Sequence, residues 1–145
     1  MINFLNDTKY QMLQKTLDAT WDRMSVISDN ITNKDTPGYK TKKLEFENIL
    51  RNKINAQTQE SPLHALRLRA KVFPQPKQTI DSILNSVKPI IFTDPSTQRR
   101  VDGNNVDEDH ENLEMVRTKI QYDYLVKKIS DEYHLLKHAI SEGRG

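Results

Sequence analysis

His134 and His138 are the residues best spaced for chemistry, four positions apart in a stretch of helical periodicity. Two imidazoles at that spacing share a helix face and could both ligate a metal ion. No third ligand accompanies them, so the pair reads as solvated histidines. The acidic run from Asp107 to Glu114 offers carboxylates for Ca²⁺. It lacks the alternating oxygen ligands and central glycine of an EF-hand loop, and acids at a helix start, beside the positive end of the dipole, account for it. Lys34, Lys40, Lys42 and Lys43 bracket Tyr39 in the manner of a nucleic-acid patch, but Asp35, Glu45 and Glu47 cancel much of that field. Asn30-Ile31-Thr32 matches a glycosylation sequon and falls inside a helical seam, where packing explains it better. The four glycines, Gly38, Gly103, Gly143 and Gly145, are isolated, so no glycine-rich loop cradles a phosphate. The chain has no cysteine, which removes disulfide and thiolate chemistry. These residues predict no catalytic site, no cofactor, no metal and no nucleic-acid partner.

With 145 residues, 35% hydrophobic and 29% charged, the chain is polar for a globular domain. That balance suits long helices that bury one stripe and leave the rest in water, or a subunit whose core is completed by neighbours. The net charge of +2 points to no polyanion. Residues 61–105 are net basic and residues 106–145 net acidic, which could draw the two regions, or adjacent subunits, together. No apolar run is long enough to span a membrane, and residues 1–10 lack the basic leader and apolar core of a cleavable signal.

Two periodic stretches must position whatever the chain presents. Tyr10, Leu13, Leu17, Thr20, Met24, Ile27 and Ile31 alternate spacings of three and four, a heptad seam that predicts a helix over about residues 8–33. Pro37 and Gly38 then suit the second and third positions of a type II turn. Tyr122, Val126, Ile129, Tyr133, Leu136 and Ile140 form the second seam, preceded on a rotated face by Leu113, Val116 and Ile120. They predict a helix over about residues 106–141, capped by Asn105 with Glu108 or by Asp107. At 1.5 Å per residue these helices are roughly 40 and 50 Å long, and their stripes suggest an antiparallel coiled coil. Between them, Leu44, Phe46, Ile49, Leu50 and Ile54 suggest a short helix. Residues 56–62 read as a linker, Pro74-Gln75-Pro76 as a break, and Val87 to Phe92 as an edge strand demoted by Pro89. The fold class expected is mainly α: residues 1–36 and 105–145 form a helical coiled-coil domain, with a small irregular or partly β insert over 37–104.

Asn30-Ile31-Thr32-Asn33 followed by Thr36-Pro37-Gly38-Tyr39 resembles the signature of the flagellar rod and hook axial proteins. Asp102-Gly103-Asn104-Asn105-Val106-Asp107 is similar to the entry into the C-terminal helix of the family's proximal-rod branch. Tyr122 and the stretch Leu136 to Ile140 fall where that branch has its tyrosine and its closing Leu-Lys-x-Ala-Ile. Thr32 stands where the family usually has alanine, and Lys119 where glutamine is common. The resemblance implies a structural, non-enzymatic subunit of the proximal rod that assembles through its terminal helices and transmits torque. It implies export, without a cleavable signal, through the flagellar type III apparatus to a periplasmic rod. The implied partners are copies of the chain, the rod proteins FlgC and FlgF, the adaptor FliE and the MS-ring protein FliF. A soluble helical-hairpin adaptor or export chaperone is the alternative.

Overall fold

The structure, a computed structural model, describes residues 8–58, 80–95 and 100–142. Helix α1 runs over Thr8–Thr32, strand β1 over Lys42–Glu45 and helix α2 over Glu47–Thr58. A short helix α3 over Ile80–Ser86, strand β2 over Ile90–Thr93 and the long helix α4 over Glu108–Glu142 follow. None of these helices is long and apolar enough to cross a membrane. The break at Pro74-Gln75-Pro76 and most of the expected linker lie outside the described residues.

Helices α1 and α4 pack antiparallel, as the contacts Lys34 with Glu108, Asn30 with Glu111 and Trp21 with Tyr122 show. On α1 the heptad positions turn inward: Thr20 and Ile27 are buried, and Tyr10, Leu13, Leu17, Met24 and Ile31 half-buried. The α4 seam differs from the expected one. Its least exposed positions are Glu111, Met115, Thr118, Tyr122, Leu125, Ile129, Glu132 and Leu136, again spaced four and three. Tyr122, Ile129 and Leu136 belong to both lines, whereas Val126, Tyr133 and Ile140 are exposed beside the seam. A polar Thr118 at the centre of the buried line disguised it, since hydrophobicity alone favours the neighbouring stripe. Thr118 tolerates burial because its hydroxyl donates to the Glu114 carbonyl at 2.7 Å, as Thr20 does to Thr16 at 2.7 Å on the facing helix.

The middle of the chain builds a second apolar cluster against α1. Phe46, Leu50, Ile83, Leu84 and Val87 are buried with Leu44 and Ala19, and Ile49 and Ile54 pack around them. The small Ala19 lets these side chains approach the α1 backbone. Strands β1 and β2 pair antiparallel with Leu44 opposite Ile91. Leu44 therefore lies in a strand, not at the start of a helix, and Phe46 sits at the strand-to-helix junction. Val87 ends α3, its amide donating to the Ile83 carbonyl at 3.0 Å, so β2 is shorter than the expected strand. It begins only after Pro89, which has no N–H to give a ladder.

Candidate functional site

The family-like residues around 30–39 and 102–107 meet where α1 ends and α4 begins. Three asparagines, fully or almost fully buried, organise the junction.

Asn30 lies in the last turns of α1. Its Oδ1 accepts from the Lys42 amide at 3.0 Å while its Nδ2 donates to the Lys42 carbonyl at 2.8 Å. The carboxamide thus imitates a peptide unit and pairs with the free edge of β1. Nδ2 also donates to Glu111 Oε2 at 2.9 Å, and the Tyr39 hydroxyl donates to Oδ1 at 3.2 Å. Both amide hydrogens and both lone pairs are engaged, which is what makes burial of this polar group affordable. Burial pushes the Tyr39 hydroxyl's pKa above its ordinary value, and the negative charges of Asp29 and Glu111 reinforce the shift.

Asn104 braces the turn that follows α1. Its Nδ2 lies 3.0 Å from the Asn33 carbonyl, 3.0 Å from that of Lys34 and 2.9 Å from that of Thr36. These carbonyls lie just past the last residue of α1, Thr32, where the chain leaves the helix, and one distant side chain gathers them. Asn104 Oδ1 accepts from the Val106 amide at 2.7 Å, fixing the approach to α4. Asn33 acts locally instead: Nδ2 donates to the Asp29 carbonyl at 2.8 Å and Oδ1 accepts from the Thr36 hydroxyl at 3.2 Å.

Asn105 ties the same loop to the sheet. Its Oδ1 accepts from the Thr41 amide at 2.8 Å and hydroxyl at 3.0 Å, and its Nδ2 donates to the Asp94 carbonyl at 3.2 Å. This side chain is committed there and does not cap α4. Asp107 is the cap: its Oδ1 accepts from the His110 amide at 3.2 Å and its carbonyl from the Glu111 amide at 2.9 Å.

Pro37 and Gly38 form the tip. The Tyr39 amide donates to the Thr36 carbonyl at 3.2 Å, and Gly38 has φ 73°, the left-handed conformation a type II turn needs at its third position. The turn docks on the second loop, Gly38 donating its amide to the Asp102 carbonyl at 2.9 Å and Lys40 Nζ to the Gly103 carbonyl at 2.7 Å. Around the rim Lys34 pairs with Glu108 at 2.6 Å, and this hydrogen bond is the main reason its pKa is raised. Arg100 reaches Asp35 and Asp102, both at 3.3 Å.

The structure therefore gathers Asn30, Asn33, Thr36, Pro37, Gly38, Tyr39, Asn104, Asn105, Val106 and Asp107 into one junction, with Ile31 half-buried beside it. Tyr122, Leu136 and Ile140 lie elsewhere along α4: Tyr122 rests against Trp21 with ring centroids 5.8 Å apart, and Ile140 is exposed. Glu111, Thr41 and Lys42 complete the junction and escaped sequence reading. Glu111 looks like one more acid of a helix start, and only its place in the α4 seam hints at burial. Thr32 and Lys119, the two departures from the family pattern, are both exposed. His134 and His138 are exposed, His138 facing Glu142 at 3.4 Å. Among the described residues no three His, Cys, Asp or Glu side chains are grouped to hold a metal. What the junction can do chemically is fasten: it locks the end of α1, the start of α4 and a sheet into one geometry.

Comparison with known proteins bears on what is fastened. Residues 11–40 match the family model described as flagella basal body rod protein. The flagellar basal body rod protein FlgB of Bacillus subtilis is 30% identical over 134 residues, covering 92% of this chain and 94% of that protein. The FlgB of Borreliella burgdorferi is 33% identical, covering 81% of this chain and 83% of its own length. That of Escherichia coli is 24% identical over 94% of this chain and 96% of its own. Similarity thus runs from the Asn30 turn through the Asn104 loop into α4, and the chain belongs to the FlgB family of flagellar basal body rod proteins.

Proposed function

We propose that the chain is a non-enzymatic structural subunit of the proximal rod, assembled through α1 and α4 and passing torque from motor to distal rod. Residues 1–36 and 105–145 act as the axial domain and residues 37–104 sit outside it. The junction residues hold the two at a fixed angle. Family membership supports the basal-body setting. The observation that carries the mechanical part is the asparagine junction: a torque-bearing subunit needs its helices locked, and Asn30, Asn104 and Asn105 lock them by hydrogen bonds across 64 to 81 residues of sequence. Such bonds hold direction as well as distance, which apolar packing alone does not.

The neighbours in this reading are other copies, FlgC and FlgF, the adaptor FliE and the MS-ring protein FliF. The chain reaches a periplasmic rod through the flagellar type III apparatus. The adaptor or chaperone alternative is not favoured, since relatives matching most of the chain are rod proteins. Replacing the chain's gene with a deletion should leave cells without filaments, and the intact chain supplied in trans should restore swimming. Deleted cells that still build filaments would overturn the proposal.

A further inference from the structure

Asp102–Gly103 is the one place in the chain where an aspartate or asparagine precedes a glycine. Glycine has no Cβ to shield its nitrogen, so that nitrogen can approach the neighbouring carboxyl more closely than in any other Asp-X pair. The reaction open to such a pair needs no enzyme and no cofactor. The Gly103 nitrogen bonds to Asp102 Cγ, the amide proton leaves with the carboxyl hydroxyl as water, and a cyclic succinimide closes. Water then adds across the bond between the Gly103 nitrogen and the original Asp102 carbonyl carbon and breaks it. One water leaves and one returns, so mass and oxidation state are unchanged. The product is isoaspartate: the main chain runs through Cβ and Cγ, and the old carbonyl becomes a free carboxylate on a side branch.

In the folded chain every group of that reaction is held by something else. The Gly103 amide donates to the Arg100 carbonyl at 3.1 Å, which turns the attacking nitrogen away. Asp102 Oδ1 accepts from the Asn104 amide at 3.1 Å, and Oδ2 faces Arg100 Nη2 at 3.3 Å. The carbonyl that would have to swing into the ring accepts from the Gly38 amide at 2.9 Å, and the Gly103 carbonyl from Lys40 Nζ at 2.7 Å. Solvent still reaches the pair, since Asp102 is exposed and Gly103 half-buried. Water is therefore at hand, and geometry is what restrains the reaction. The geometry points to Asp102–Gly103 as a site of spontaneous isoaspartate formation that the junction suppresses and whose conversion unmakes the junction. Conversion inserts one carbon, about 1.5 Å, into the main chain. The insertion falls between the carbonyl anchored to Gly38 and Asn104, whose side chain must reach Asn33, Lys34 and Thr36. A chain that is folded keeps its aspartate, and a chain that stays open loses the means to close. Neither the site nor its test depends on the rod-subunit reading.

The test is to age the purified full-length chain at neutral pH, one sample folded and one in urea, and to digest both with trypsin. Cleavage at Arg100 and Arg117 releases residues 101–117, which carry Asp102, Asp107 and Asp109 together. Electron-transfer fragmentation separates isoaspartate from aspartate by breaking its Cα–Cβ bond. In urea, isoaspartate should accumulate at Asp102 ahead of Asp107 and Asp109. In the folded sample its formation at Asp102 should be slower by about tenfold or more, because only the locally opened loop reacts. Chains bearing isoaspartate, separated from the rest and freed of urea, should melt at a lower temperature than unaged chain taken through the same steps. Isoaspartate spread evenly over the three aspartates in urea would overturn the site. Equal rates in folded and unfolded samples would overturn the protection, and unchanged melting of the converted chain would overturn its effect on the junction.

Discussion

Asn30 and Glu111 touch across the helix pair, Nδ2 2.9 Å from Oε2, although 81 residues separate them in the chain. The same asparagine closes the edge of β1, so one side chain joins the end of α1, the start of α4 and the sheet. Replacing it tests whether the junction behaves as one unit. Asn30→Ala strands the Lys42 amide and the buried Glu111 carboxylate, at about 1–3 kcal/mol per unsatisfied group, and urea unfolding of the purified chain should show a loss of about 3 kcal/mol. Asn30→Asp keeps the shape but sets two carboxylates together. Its deficit relative to the parent should be larger near pH 7 and shrink towards about pH 4, where one carboxyl takes up a proton.

Asn104→Ala removes the brace from the turn after α1 and leaves the helix intact. Amide exchange over residues 33–39 should quicken by about tenfold or more, while residues around Thr20 keep their protection. Uniform loss along α1 would show that Asn104 stabilises the whole helix and not the turn beyond it.

Gly38 is exposed, and a Cβ there would meet no atom within 4 Å, so its role is conformational. Gly38→Ala should cost about 1–2 kcal/mol through its φ of 73° alone. Gly38→Asn, a residue that enters this region more readily, should recover part of that loss in thermal unfolding.

Glu47 fastens α2 to α1 through Arg23. Burial pushes its carboxyl upward, but the hydrogen bond from Arg23, backbone amides and the Arg23 charge outweigh burial and leave the pKa below the ordinary 4.5. A depressed carboxylate stabilises the fold above its unfolded pKa and loses that contribution as pH falls through the folded value. Glu47→Gln should therefore be less stable than the parent at neutral pH, with the difference narrowing below pH 4.5. A constant difference down to the acid transition would show that Glu47 acts by packing.

Helix existence was legible because periodicity survives in α1 and α4, and the turn was legible because Pro37 and Gly38 have few other uses. Which face of α4 is buried was not legible. Thr118 and Glu111 are buried for their hydrogen bonds, and such bonds depend on partners that hydrophobicity does not reveal. Helix α3 and strand β1 escaped for a related reason: Ile83, Leu84 and Val87 cluster with Ala19 and Leu44, far away in sequence, whereas β2 over Ile90–Thr93 overlaps the expected edge strand. Asn104 looked like a plain loop residue and Asn105 like a candidate helix cap. Only the fold shows one bracing the turn after a distant helix and the other binding the sheet.

Cryo-EM of basal bodies purified from cells carrying this chain tests the central claim most directly. Density for α1 and α4 should occupy the proximal rod, with the Asn30–Glu111 junction intact and the residues between the two helices outside the helical layer. Density for the chain elsewhere, or a rod in which α1 and α4 have separated, would contradict the account.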